Sequence, residues 1–243
     1  MKLNIFNTAD EVLRKLAEYF LTAAQQAIKT NGRFAVALSG GSSPKKLYEL
    51  LAVDYKDKID WDKVYFFFGD ERYVPQTDTD SNYLMVKKAL FDPLKIAEDQ
   101  IFAVDTSEEP KIAAQKYAAV ISDFFKGEEI RFELVLLGLG DNSHTASLFP
   151  NTPVLLDEVP SVKEVYLEDQ KVFRITLNAP LINQAYRIAF LVYGEGKAIA
   201  VHHVIEDSKD INNYPAQLIK SANGDVQWFL DTAAASHLTA HSA

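Results

Sequence analysis

The stretch Leu134-Val135-Leu136-Leu137-Gly138-Leu139-Gly140-Asp141-Asn142-Ser143-His144-Thr145-Ala146-Ser147-Leu148-Phe149-Pro150 decides how this chain is read. Its opening residues are apolar without alternation, the pattern of a strand buried on both faces in a parallel sheet. Gly138 and Gly140 break that run and deliver His144 to the start of a loop. In open parallel sheets, ligands bind at the strand carboxyl ends, in a crevice lined by loops and helix N-termini. Imidazole changes charge near neutral pH without help, so His144 is a candidate acid–base group.

Two segments upstream repeat the pattern. Arg33-Phe34-Ala35-Val36-Ala37-Leu38 runs into Ser39-Gly40-Gly41-Ser42-Ser43-Pro44, after which Leu47, Leu50 and Leu51 take helical spacing. Pro44 is expected at the first helical position, where its missing N–H costs nothing. The turn Ser39, Gly40, Gly41, Ser42, Ser43 suits an anion, because its amides curl around one and the helix dipole favours it. It lacks the Gly-Lys-Ser/Thr ending of a Walker loop. The second segment, Val64-Tyr65-Phe66-Phe67-Phe68-Gly69-Asp70-Glu71-Arg72-Tyr73-Val74-Pro75, ends an apolar strand in a charged triplet, expected in a loop on the same rim. Arg72 brings a planar fork of donors matched to phosphate or carboxylate oxygens. An anion cradle, an arginine and a histidine on three strand ends point to an enzyme acting on a small phosphorylated molecule.

Strands and helices alternate along the rest. Leu3 to Phe6 predicts a short strand. Thr8 predicts an N-cap, with Glu11 completing a capping box, and Val12, Leu13, Leu16, Phe20 and Ala24 carry a helix to about Lys29, stopped by Asn31-Gly32. Further helices are expected near Tyr83 to Phe91 and over Pro110 to Lys126. Val162 to Leu167 and Val172 to Leu177 flank Glu168-Asp169-Gln170-Lys171 as a hairpin, at the sheet edge or in a small lobe. Tyr186 to Tyr193 predicts a core strand, followed by Gly194-Glu195-Gly196-Lys197 and a helix to about Glu206. A short helix from Pro215 and a last strand, Val226 to Leu230, complete the pattern. This is an α/β fold, a Rossmann-like three-layer α/β/α arrangement with a mainly parallel sheet, helices on both faces and a small β-containing lobe or edge hairpin. Residues 1–243 are expected to form one unit, without repeat or linker.

Bulk properties narrow the function. The 243 residues are 48% hydrophobic and 24% charged, ordinary for a globular protein. The chain has no cysteine, which excludes disulfides and thiolate metal sites. A net charge of −9 argues against a nucleic-acid partner. No apolar run nears the roughly 20 residues of a membrane helix, and Met1-Lys2-Leu3-Asn4-Ile5-Phe6 does not read as a signal peptide. A cytoplasmic location and no membrane partner are expected. His202 and His203 are adjacent on a helix and point apart, while His237 and His241 lie in the tail, so no metal-ligand set is expected. A Gly-x-Ser-x-Gly nucleophile elbow is absent. Gly138-Leu139-Gly140 begins a dinucleotide fingerprint whose third glycine is Ser143.

In this order and spacing, the segments resemble the 6-phosphogluconolactonase family. The resemblance rests on Leu38 to Pro44, Gly69 to Pro75 with Asp80-Ser81-Asn82-Tyr83, and Gly138 to Pro150. It continues through Arg174-Ile175-Thr176-Leu177, Gly194 with Lys197, Pro215-Ala216 and Trp228-Phe229-Leu230-Asp231. It implies a single lactonase domain that hydrolyses 6-phospho-D-glucono-1,5-lactone to 6-phospho-D-gluconate without metal or organic cofactor. The partner it implies is a phosphorylated sugar lactone, and the expected state is a monomer or weak homo-oligomer. His144 is the implied general base, with Asn142 and Arg72 beside it. Ser39, Gly40, Gly41, Ser42, Ser43, Asp70, Glu71, Thr145 and Lys197 are the implied substrate and phosphate contacts.

One position departs from the family's pattern. Its loop reads Asp-Gly-His-Thr, whereas Asn142 and Ser143 precede the histidine here. An amide holds geometry but carries no negative charge, and Asp141 is the candidate to supply one. A serine in place of glycine implies a backbone position that need not be glycine-only. The related glucosamine-6-phosphate deaminases follow their loop histidine with a glutamate, where this chain has Phe149, which moves no proton. A deaminase-like isomerase and a non-catalytic sugar-phosphate sensor are the alternatives to the lactonase.

Overall fold

The unalternating apolar runs become the centre of a parallel sheet. The computed structural model describes residues 1–222 and 224–239. Its elements are β1 (Lys2–Phe6), α1 (Ala9–Asn31), β2 (Phe34–Leu38), α2 (Ser42–Asp54), β3 (Val64–Phe68), β4 (Asp70–Arg72), α3 (Asn82–Val86) and α4 (Asp92–Leu94). There follow α5 (Pro110–Phe124), β5 (Leu134–Leu137), β6 (Val162–Leu167), β7 (Val172–Leu177), α6 (Ala179–Asn183), β8 (Ile188–Val192), α7 (Ala198–Ile205) and β9 (Val226–Asp231).

Six strands form one sheet in the order β1-β9-β8-β5-β2-β3, each paired parallel to its neighbour. Successive side chains serve two separate cores. Phe34, Val36 and Leu38 of β2 pack on the α1–α2 side, with Leu134 and Leu136 of β5. Ala35, Ala37, Val135 and Leu137 face the α5 and α7 side. Both faces are therefore dry, which is why the strands do not alternate in sequence. Aromatic packing seals one end of this core: Phe67 lies flat on Phe102 at 4.5 Å and edge-on to Phe132 at 5.2 Å. Fully burying each such ring contributes about 1.5–3 kcal/mol.

Connectivity places a crevice. From β2 the chain passes through α2 to β3 on one side, while β5 leads on to β8 on the other. The carboxyl ends of β2 and β5, adjacent in the sheet, thus send their loops apart, the switch point at which α/β sheets bind ligands.

Several local expectations change. Helix α2 begins at Ser42, with Gly41 as its cap at φ +105°, so Pro44 is the third helical residue rather than the first. It still sits among the first-turn positions whose N–H has no intrahelical partner. Glu11 accepts from the amide of Asn7 at 2.8 Å rather than from that of Thr8, while Thr8 caps α1 through the Glu11 amide at 3.2 Å. Helix α3 runs through a π turn, Lys87–Phe91, into α4, and so contains Pro93. Proline cannot donate to a carbonyl one turn back, and the widened turn falls where that bond is missing. The charged triplet is a strand, not a loop: β4 joins β7 and β6 in a separate antiparallel sheet of three strands.

The helix-borne histidines are absorbed locally. His202 Nδ1 meets Glu206 at 3.1 Å, and His203 Nδ1 meets Asp207 at 2.5 Å while its ring stacks on Tyr214. His237 is exposed; His241 lies outside the described residues. Among the described residues no helix is long and apolar enough to cross a membrane.

Candidate active site

A cavity of about 240 Å³ opens at the carboxyl ends of β2 and β5. Ser39, Gly40, Gly41, Asp70, Arg72, His144, Thr145 and Lys197 line it, so eight of the expected site residues come together there. The others stand elsewhere. Asn142 lies behind His144, and Ser42 and Ser43 form the first turn of α2, where their amides have no intrahelical acceptor. Glu71, expected to contact substrate, is 1% exposed and turned away. Its carboxylate accepts from the amides of Arg72, Asn82 and Tyr83 at 2.7–2.8 Å and from the Ser81 hydroxyl at 3.2 Å. Burial pushes its pKa up while those amides pull it back. It anchors the strand that carries Arg72.

The histidine loop is built by short crosslinks. Gly140 donates its amide to the His144 carbonyl at 2.8 Å, Ser143 donates to Gly140 at 2.9 Å, and the Thr145 hydroxyl reaches Gly138 at 2.8 Å. Ser143 is forced to φ +62°, the left-handed region. The position favours glycine but does not demand it, as the sequence expectation has it; the buried serine is held there by its own amide bond and by Ala216, which donates to its carbonyl. Ser143→Val is accordingly expected to cost about 1–3 kcal/mol, read by calorimetry as a fall of about 2–4 °C per kcal/mol. Ser143→Gly is expected to fold at least as well as the parent in that torsion.

The environment of His144 fixes its tautomer. Asn142 Oδ1 lies 2.5 Å from His144 Nδ1 and also accepts the His144 backbone amide at 3.3 Å. An oxygen that takes both contacts is an acceptor only, so Nδ1 carries the proton and Nε2 keeps its lone pair. One ring face stacks on Phe149, with centroids 4.0 Å apart at 15°. On Gly140, an added Cβ would lie 2.0 Å from Nδ1 and 2.1 Å from Cε1. Burial lowers the His144 pKa to about 4; Asp70 opposes this, Lys197 and Arg174 reinforce it, and Asp141 opposes it weakly. The imidazole is neutral throughout the physiological range.

Asp141 does not serve the histidine as expected. Its carboxylate takes Lys197 Nζ at 2.5 Å. Asn142→Asp would place a negative charge beside Nδ1 and raise the folded-state pKa of His144. A base must be deprotonated to act, so the acid limb of kcat/KM is expected to move from near pH 4 to higher pH, measured as a pH–rate profile.

Three residues with site contacts were not among the expected contacts. Asn82, 1% exposed, donates to the Asp70 carbonyl at 2.9 Å, and its Oδ1 sits where a Gly40 Cβ would fall, 1.9 Å away. Ser147 donates its hydroxyl to Asp70 at 2.6 Å. Arg174 stands across from Arg72 in the β4–β7 pair. All three lie in stretches that carried the family resemblance, but their spacing from Arg72 and His144 gives no sign of proximity. Among the described residues no three His, Cys, Asp or Glu side chains gather in a set able to hold a metal ion.

Comparison with known proteins gives a consistent picture. Residues 7–228 match the family model described as glucosamine-6-phosphate isomerases/6-phosphogluconolactonase. A 6-phosphogluconolactonase from Nostoc sp. is 40% identical over 234 residues, covering 94% of both chains. One from Synechocystis sp. is 38% identical, covering 89% of this chain and 90% of its own. The structure of a 6-phosphogluconolactonase from Trypanosoma cruzi superposes with a TM-score of 0.86 at 28% identity, covering 98% of this chain and 97% of that one.

Proposed function

We propose, from the fact that this chain belongs to the glucosamine-6-phosphate isomerase/6-phosphogluconolactonase family, that it hydrolyses 6-phospho-D-glucono-1,5-lactone to 6-phospho-D-gluconate. The observation that carries the choice within the family is His144: its Nε2 is free, its Nδ1 is tied to Asn142, and its ring lies on Phe149. A phenyl ring stands where the deaminase branch needs a carboxylate for ring opening and isomerisation.

The residues then take these roles. The amides of the Ser39–Ser43 turn, Arg72 and Lys197 hold the phosphate, and remote binding energy becomes orientation of the lactone carbonyl. His144 Nε2 removes a proton from water as it attacks C1. Positive groups around the cavity stabilise the tetrahedral oxyanion that forms. With a pKa near 4, the imidazolium is a strong acid, well suited to protonate the departing ring oxygen as the C1–O bond breaks. Asp70, held by Ser147 and Asn82, faces that transient positive charge. A cytoplasmic, monomeric or weakly associating enzyme belongs to the same proposal.

The test is acid release from freshly generated 6-phosphoglucono-δ-lactone, above the spontaneous background. Rapid turnover is the expected result. Phosphosugar binding without turnover would replace this reading with that of a sensor.

A further inference from the structure

A second cavity, of about 420 Å³, lies between α7, the segment from Pro215 to Ser221 and β9. It shares no described wall residue with the His144 cavity. Val204, Ala216, Ile219, Val226 and Trp228 make its body apolar, and its volume falls among those of small-molecule sites. Trp228 is 2% exposed, and its indole N–H has no acceptor. Phe190, stacked on the indole at 3.9 Å and 6°, fixes the ring and supplies none. The chain's other tryptophan is the contrast: Trp61, also buried, donates its indole N–H to the Lys56 carbonyl at 3.0 Å. Buried indole N–H groups ordinarily find a partner. The missing acceptor on Trp228 points to a ligand oxygen.

Charge on the wall points to the same kind of ligand. Lys209 and Lys220 line the cavity, are exposed, and among the described residues form no salt bridge. Asp207, the carboxylate of that wall, is held by His202 at 3.3 Å and His203 at 2.5 Å. A carboxylate brings both the acceptor that Trp228 lacks and the charge that the lysines lack.

The cavity also touches the support of the histidine loop. Ala216, on its wall, donates its amide to the Ser143 carbonyl at 3.0 Å. Ser143 sits at φ +62°, a torsion that persists only while its surroundings hold it. A ligand that moves Ala216 therefore moves the residue next to His144. We propose that this cavity is a second ligand site, taking a small carboxylate with an apolar body, and that its occupancy alters turnover at His144 through the Ala216–Ser143 bond. The effect on turnover rests on the lactonase reading; the site itself does not.

Hexanoate is the probe, with hexanol and hexylammonium as the neutral and cationic controls. The two indole N–H groups give separate proton–nitrogen NMR signals, assigned with Trp228→Phe. Hexanoate is expected to shift the Trp228 signal downfield and saturably, leaving that of Trp61 in place. Hexanol is expected to bind more weakly, and hexylammonium not at all. Lys209→Gln combined with Lys220→Gln is expected to weaken hexanoate roughly 3- to 20-fold with kcat in its absence unchanged. Saturating hexanoate is expected to change kcat for 6-phosphoglucono-δ-lactone roughly 2- to 10-fold, half-maximally where Trp228 is half-shifted. An unmoved Trp228 signal, equal shifts of both indoles, or equal binding of the three probes overturns the site. An unchanged kcat at saturation, or a rise in KM alone that survives the lysine substitutions, overturns the coupling. Should Trp228→Phe not fold, Trp61→Phe makes the same assignment. A parent that hydrolyses no lactone defeats the lactonase reading, while the NMR titration still decides the site.

Discussion

His144→Ala is expected to lower kcat for lactone hydrolysis by about 10²–10⁴-fold, the usual worth of a general acid–base group. In the proposed mechanism the imidazole supplies both proton transfers, so its loss removes base and acid together. Substrate affinity should suffer less, because the proposed phosphate contacts are the Ser39–Ser43 turn, Arg72 and Lys197 rather than the histidine loop. The variant should also lose the acid limb near pH 4, since the group that titrates there is gone. Steady-state kinetics from pH 3.5 to 8, with the spontaneous rate subtracted, separates these effects (an approximate range set by lactone stability and His144 titration). A variant that keeps most of the parental kcat would remove His144 from the mechanism, and Asp70 would become the first carboxylate to examine.

Gly140→Ala should be nearly as damaging although it adds one methyl group outside the reacting atoms. The glycine is needed here for space and not for torsion, as Gly140 has no positive φ. A Cβ would arrive 2.0 Å from His144 Nδ1, and the ring has little room to yield because Phe149 covers one face at 4.0 Å. Displacement breaks the bond to Asn142, releases the tautomer and moves Nε2 from its line to the carbonyl. Misplacing a catalytic group by about 1 Å costs on the order of 10²-fold, so kcat should fall by that amount, with a smaller change in KM. Recovery of the parental rate would show that the imidazole works from a second position.

Both predictions use residues that the sequence displays, for reasons it does not display. The apolar runs at Phe34–Leu38, Val64–Phe68 and Leu134–Leu137 announce a parallel sheet, because strands dry on both faces need no alternation. Their glycine-broken ends announce the rim. The hairpin Val162–Leu177 was equally legible from its turn and its flanking periods. Asp70-Glu71-Arg72 was not, because a short strand of charged residues owes its existence to its partner β7, more than one hundred residues away along the chain.

The same division runs through the site. Sequence by itself determined the fold class, the family, and a crevice carrying a glycine turn, an arginine and a histidine, since these follow from local period and residue chemistry. Only the tertiary structure decided which neighbours those groups have. It gave Asp141 to Lys197 and Asn142 to His144, spent Glu71 on backbone amides, and set Arg174 against Arg72. It also showed that Ser143 occupies a left-handed position and that Gly140 makes room for an imidazole. Burial, tautomer and like-charge opposition are properties of pairs brought together by long-range packing, and no spacing along the chain encodes them.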